Sequence, residues 1–136
     1  MNRTGLPPRA PNGGAAPEVA ELPGGARLEL IASAREIARR HRSEFSDEEE
    51  RYGDRGLEWC AYDNQWIFAW AAAAAAGYED LDQQIRWLAG VLDARDYPVE
   101  RLARNLELAG EVVPALDAVL KSAADTARNV HKRLAD

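Results

Sequence analysis

Cysteine occurs once in this chain, at Cys60, and lysine only twice, at Lys121 and Lys132. A single thiol excludes an intrachain disulfide and a cysteine-based metal cluster, and it fits a reducing compartment. Positive charge is scarce too: 17 Lys and Arg face 23 Asp and Glu, for a net charge of −6. The arginines do not gather on one stretch but interleave with carboxylates, as in Arg51–Asp54–Arg55 and Glu100–Arg101–Arg104–Glu107. Duplex nucleic acid requires cations massed on one face to displace counterions, so nucleic-acid binding is not expected. The interleaved pattern describes instead a solvated helix surface with supporting ion pairs.

Long apolar runs are missing as well. The longest, Trp66 to Ala76, is about half of a bilayer span and ends in six consecutive alanines. No membrane-spanning or signal-peptide segment is expected, and the default address is the cytoplasm. The motifs of common enzymes are lacking: no His-Glu-x-x-His zinc site, no Gly-x-Ser-x-Gly elbow, no phosphate-cradling glycine loop and no dinucleotide fingerprint. A di-iron bundle needs Glu-x-x-His pairs, and no Glu stands three residues before either histidine. The expectation is no metal and, on balance, no enzyme.

What is present divides the chain in two. Residues 1–25 hold five of the seven prolines and five of the ten glycines. Such a segment buries too little apolar surface to offset ordering at roughly 1–2 kcal/mol per residue, so it reads as a disordered tail. Residues 26–136 read as a single helical domain, long enough for one core. No stretch alternates with period two, so a sheet is not expected.

The first helix should run from about Ala26 to Arg42, with Leu30, Ile31, Ala34, Ile37, Ala38 and His41 on its inner stripe and Phe45 sealing its end. Ser46-Asp47-Glu48-Glu49 has the form of a capping box, and Gly53 with Gly56 predicts a break between Tyr52 and Leu57. A central helix should span Leu57 to Ala76 and close on Gly77. Asp80 with Gln83 marks the next start, followed by the stripe Leu81, Ile85, Leu88 and Leu92. Pro98 opens a helix carrying Leu102, Ala103, Leu106 and Ala109, Pro114 ends it, and Leu116, Val119, Leu120, Ala123, Ala127 and Val130 line the last. The fold class is therefore all-α: a compact bundle of about five helices with four-helix-bundle or globin-like packing. The helix order is compatible with that of globin-like sensor modules of bacterial regulatory proteins. That is a likeness of architecture, and architecture carries no function.

One segment stands out. Residues 58–70 hold three of the four tryptophans, and on a helix Trp59, Tyr62, Trp66 and Trp70 form a stripe beside a second one containing Leu57, Cys60, Ala61, Ile67 and Phe68. Asp63 and Asn64 interrupt that apolar surface. A buried carboxylate must find a partner or take up a proton. Asp63 is thus a helix N-cap, a structural ion pair with Arg86, Arg101 or Arg104, or the acid–base group of a pocket. The candidate ligand site comprises Trp59, Cys60, Tyr62, Asp63, Asn64, Trp66 and Trp70. His41 or His131 could in principle hold haem iron, although both fit helix C-termini, where a cation suits the dipole.

Two functions follow. The first is a non-enzymatic regulatory, sensory or protein-interaction module that self-associates as a homodimer or binds a protein partner, because five helices need not cover all the aromatic surface of the central one. The second is a small-ligand-binding or catalytic domain with its pocket around Asp63 and Asn64.

Overall fold

The computed structural model describes residues 15–135, with side chains to Arg133. The elements run β1 (Val19–Glu21), β2 (Arg27–Glu29), α1 (Leu30–Glu44), α2 (Asp47–Ala75), α3 (Leu81–Ala94), α4 (Glu100–Val112), a short 3₁₀ turn (Pro114–Leu116) and α5 (Asp117–Ala135). The all-α bundle expected from the sequence is what forms. Helix α1 lies along α2, α5 packs on both α3 and α4, and α1 touches α4. The buried stripes follow the 3.6-residue period: Leu30, Ala34, Ile37, Ala38 and His41 on α1, Leu81, Ile85, Leu88 and Leu92 on α3, Leu120, Ala123 and Ala127 on α5. Among the described residues, no helix is long and apolar enough to cross a membrane.

The N-terminal boundary differs from the sequence reading. The first 14 residues of the expected tail lie outside the described residues, but residues 19–29 form a hairpin with Val19, Ala20 and Glu21 opposite Glu29, Leu28 and Arg27. Gly24 and Gly25, both at φ 93°, turn the chain where residues with a Cβ are strained. Leu22 N–H donates to Ala26 O at 2.7 Å to close the loop. Helix α1 consequently starts at Leu30 rather than Ala26. Strands of three residues are too short for alternation to register in the sequence.

Helix ends are set by local chemistry, in one case by other chemistry than the sequence implies. The Asp80 carboxylate accepts from Gln83 N–H at 3.1 Å, as its N-cap position predicts. Ser46 makes no side-chain cap and has helical torsions, so the capping box does not form, and the acid drawn inward is Glu48. Gly77 closes α2 at φ 87°, with Tyr78 N–H donating to Ala73 O and Gly77 N–H to Ala74 O. The same pair of bonds closes α3, where Tyr97 N–H donates to Leu92 O and Asp96 N–H to Asp93 O. Here the left-handed residue is Asp96, at φ 59°, and this C-terminal motif fixes the backbone of Tyr97. The expected break falls at Gly53, whose φ 63°, ψ −159° interrupts α2. Asp63 lies ten residues beyond it in unbroken helix, which removes the N-cap reading.

Candidate functional site

Among the described residues, four polar side chains are almost fully buried: His41 at 2 %, Glu48 at 4 %, Asn64 at 1 % and Asn105 at 4 % exposure. They belong to α1, the start of α2, the middle of α2 and α4, yet all four border one cavity of about 50 Å³. Tyr52, Gly56, Cys60, Asp63, Tyr97 and Arg101 border it as well, over an apolar floor of Ile67, Leu88, Leu92 and Leu102. At 10–15 Å³ per water-sized site, it holds about three to five such groups.

Glu48 organises one side. Its Oε2 accepts from the Tyr97 hydroxyl at 2.6 Å and from Arg101 Nη1 at 2.8 Å, with His41 Nε2 3.2 Å away. The Tyr97 hydroxyl donates to Glu48, so its oxygen is left to accept from His41 Nε2 at 2.7 Å. Arg101 is held further by Asp47 Oδ2 at 3.1 Å, and its guanidinium sits 4.5 Å from the centre of the Phe45 ring. Burial alone would raise the Glu48 pKa. The hydrogen bonds from His41, Tyr97 and Arg101, with the His41 charge, outweigh it and hold the carboxyl at about 2. Burial, then the Glu48 charge and hydrogen bond, push the Tyr97 phenol far up. For Arg101 burial works against the charge, and the bonds to Glu48 and Asp47 prevail, so its pKa rises.

On the other side Asn64 and Asn105 exchange two hydrogen bonds, Asn64 Nδ2 to Asn105 Oδ1 at 3.0 Å and Asn105 Nδ2 to Asn64 Oδ1 at 2.7 Å. Asn64 Nδ2 also reaches Cys60 O at 2.9 Å and Cys60 Sγ at 3.6 Å. The pair staples α2 to α4 across the core. His41 Nδ1 is buried with no hydrogen-bond partner among the described residues, an uncompensated polar atom of the kind that costs about 1–3 kcal/mol.

Of the seven residues singled out in the sequence, Cys60, Asp63 and Asn64 border the cavity, and Trp59, Tyr62, Trp66 and Trp70 do not. The helix itself separates them. At about 100° per residue, positions 56, 60, 63, 64 and 67 share one face, while 59, 66 and 70 lie about a quarter turn round. Trp59 has the Arg95 guanidinium 5.8 Å from its ring centre. Trp66 stacks on Trp70 at 5.8 Å, and Trp70 meets Trp87 edge-on at 6.3 Å. These rings are core and flank. Of the three arginines considered as partners for Asp63, Arg101 is engaged by Asp47 and Glu48 and Arg104 by Glu44 through two bonds at 2.6 and 2.9 Å.

His41 stands in the last turn of α1, as the helix-end reading has it, and there it is also the centre of the polar cluster. The cavity beside it is far below the roughly 300–1,000 Å³ of ordinary ligand and cofactor pockets. His131 is half-exposed on α5, with Nδ1 3.6 Å from Glu100 Oε2. Among the described residues, no three His, Cys, Asp or Glu side chains converge as a metal-binding group. Glu48, Tyr97 and Asn105 were not legible as site residues. Only Asn105 left a signal, a polar residue at helical spacing between Leu102 and Ala109.

No family model, curated protein or solved structure matches the chain.

Proposed function

We propose that this protein is a small ligand-binding module of sensory or regulatory type, which takes a compact polar molecule into the cavity between α1, α2, α3 and α4. One observation carries the reading: four buried polar side chains from separate elements converge on one cavity, and one of their atoms, His41 Nδ1, has no protein partner among the described residues. A core built for stability alone would favour apolar side chains of similar volume at such positions. Polar groups that line a cavity are the usual means of orienting a small ligand.

Glu48 and Tyr97 are poorly suited to acid–base turnover. A general base works best with a pKa near the working pH, and Glu48 is held at about 2. The Tyr97 phenol is displaced the other way. The tryptophans that pointed to self-association or a protein partner divide: the chain itself covers Trp59 and Trp70 to 4 and 7 % exposure, whereas Trp66 and Trp87 are only partly buried.

The test is thermal unfolding across a library of small amides, alcohols, amines and carboxylic acids. A ligand at a hundredfold its Kd adds about 2.7 kcal/mol to the folded state, which is a rise of several degrees for a domain this size. The wild type should show such a rise with at least one chemical class. The variant Asn64→Leu/Asn105→Leu, which fills the cavity with apolar groups, should not. Equal responses from the two proteins to every class would refute the reading.

A further inference from the structure

We infer that residues 47–52, the short helical stretch ahead of Gly53, form the gate of the cavity, with Gly53 as hinge and Glu48 as latch. The inference deepens the reading of the cavity as a ligand site by naming what controls entry.

The hinge is visible in the torsions. Gly53 has φ 63° and ψ −159°, a region that only glycine occupies readily. An added Cβ there would meet nothing within 4 Å, so it is the torsion, not crowding, that selects glycine. Three residues on the opposite holds. A Cβ at Gly56 would lie 2.3 Å from Tyr52 Cβ, so Gly56 lets the turn fold back until Tyr52 closes over the cavity.

The gate is held by polar contacts from its neighbours. Glu48 receives Tyr97 and Arg101 and meets His41, Asp47 pairs with Arg101, and Arg42 Nη2 donates to Gly53 O at 2.9 Å. Apolar anchoring is thin. Asp47, Glu49, Glu50 and Arg51 are exposed, Tyr52 is half-buried, and only Glu48 is buried. Segments with few buried apolar contacts open at lower free energy than the core around them. Both gate residues that face inward, Glu48 and Tyr52, border the cavity. Releasing the Glu48 cluster therefore uncovers it while α3, α4 and α5 stay packed.

Cys60 reports on the gate. It is the sole cysteine, it is half-buried at the border of the cavity, and its Sγ lies 3.6 Å from the buried Asn64 amide. The experiment measures the rate at which an aromatic disulfide reagent, too bulky for the cavity, modifies Cys60. It compares the wild type with Glu48→Gln, Tyr97→Phe and Leu120→Ala, with urea bringing all four to the same global stability. Leu120 is fully buried on α5 and does not border the cavity. Glu48→Gln and Tyr97→Phe should be modified at least tenfold faster than Leu120→Ala, which should match the wild type. Tyr97→Phe keeps the ring and removes only the hydroxyl, so it serves if Glu48→Gln does not fold. Equal rates for all proteins at matched stability, or a wild-type rate equal to that of an exposed thiol in a peptide, would overturn the gate. No ligand is present in this measurement, so its failure is separable from failure of the ligand reading, which the unfolding screen tests alone.

Discussion

Asn64 and Asn105 satisfy each other's amide oxygens inside the core, while Asn64 Nδ2 has a second acceptor in Cys60 O. That reciprocity makes a signed prediction. Asn105→Leu strands Asn64 Oδ1 and should destabilise the protein by about 1–3 kcal/mol, whereas adding Asn64→Leu removes the stranded group and should recover much of the loss. Urea unfolding of the two single variants and the double closes the cycle, and additive losses would show that the amides do not act as a pair. Glu48 makes the second residue-scale prediction. Its carboxyl titrates at about 2 in the folded protein against 4.5 for an ordinary glutamate. A depressed carboxylate stabilises the fold above its unfolded pKa, and that contribution is lost as pH falls through the folded one. On the order of 3 kcal/mol should therefore disappear between about pH 4.5 and 2. Glu48→Gln should be less stable at neutral pH and show a flatter stability profile across that window, measured by chemical denaturation at each pH.

The elements are positioned by their ends, and there glycine and aspartate make opposite predictions. Gly53→Ala forces a side chain into a torsional region reserved for glycine and should cost about 1–3 kcal/mol. Gly90 is exposed within α3, with open space around its missing Cβ, so Gly90→Ala should stabilise by about 0.8–1 kcal/mol through helix propensity. Asp96 occupies the left-handed position that closes α3, and Asp96→Gly should gain up to about 1 kcal/mol there. Thermal unfolding of the three variants should rank them in that order of sign. The same elements show what was legible in advance. Helices α1, α3, α4 and α5 were readable because a buried stripe repeats every three to four residues, and the break in α2 because glycine lowers helix propensity. The hairpin was not, since three-residue strands leave no period. Nor was the Glu48 cluster: Ser46 to Glu50 reads as a solvated helix start, and it is contacts distant in sequence, Tyr97 brought over His41 by the turn at Asp96 and Arg101 on α4, that draw Glu48 inward. Asp63 and Asn64 were found because polar residues inside an apolar run contradict their surroundings. The tryptophans misdirected because ring size says nothing about which face of a helix meets the cavity.

At the scale of the whole molecule, α1 lies against α2 and α4 against α5, with the polar cluster bridging the two pairs. Below it the core is apolar and closely filled, with Ile37, Phe68, Ile85, Leu106 and Leu120 all fully buried. Leu120→Ala should therefore cost about 2–5 kcal/mol without touching the cavity. Stability thus rests largely on the apolar layer, leaving the polar layer to specify which helices meet and, in the proposed function, what enters between them. The most direct test of this division is electron density in the cavity of a high-resolution crystal structure, grown with the molecule that raises the unfolding temperature most. The account predicts density for that molecule within hydrogen-bond distance of His41 Nδ1, with Asn64 and Asn105 still paired. A cavity closed by repacked side chains, with His41 Nδ1 bonded to a protein group, would contradict it.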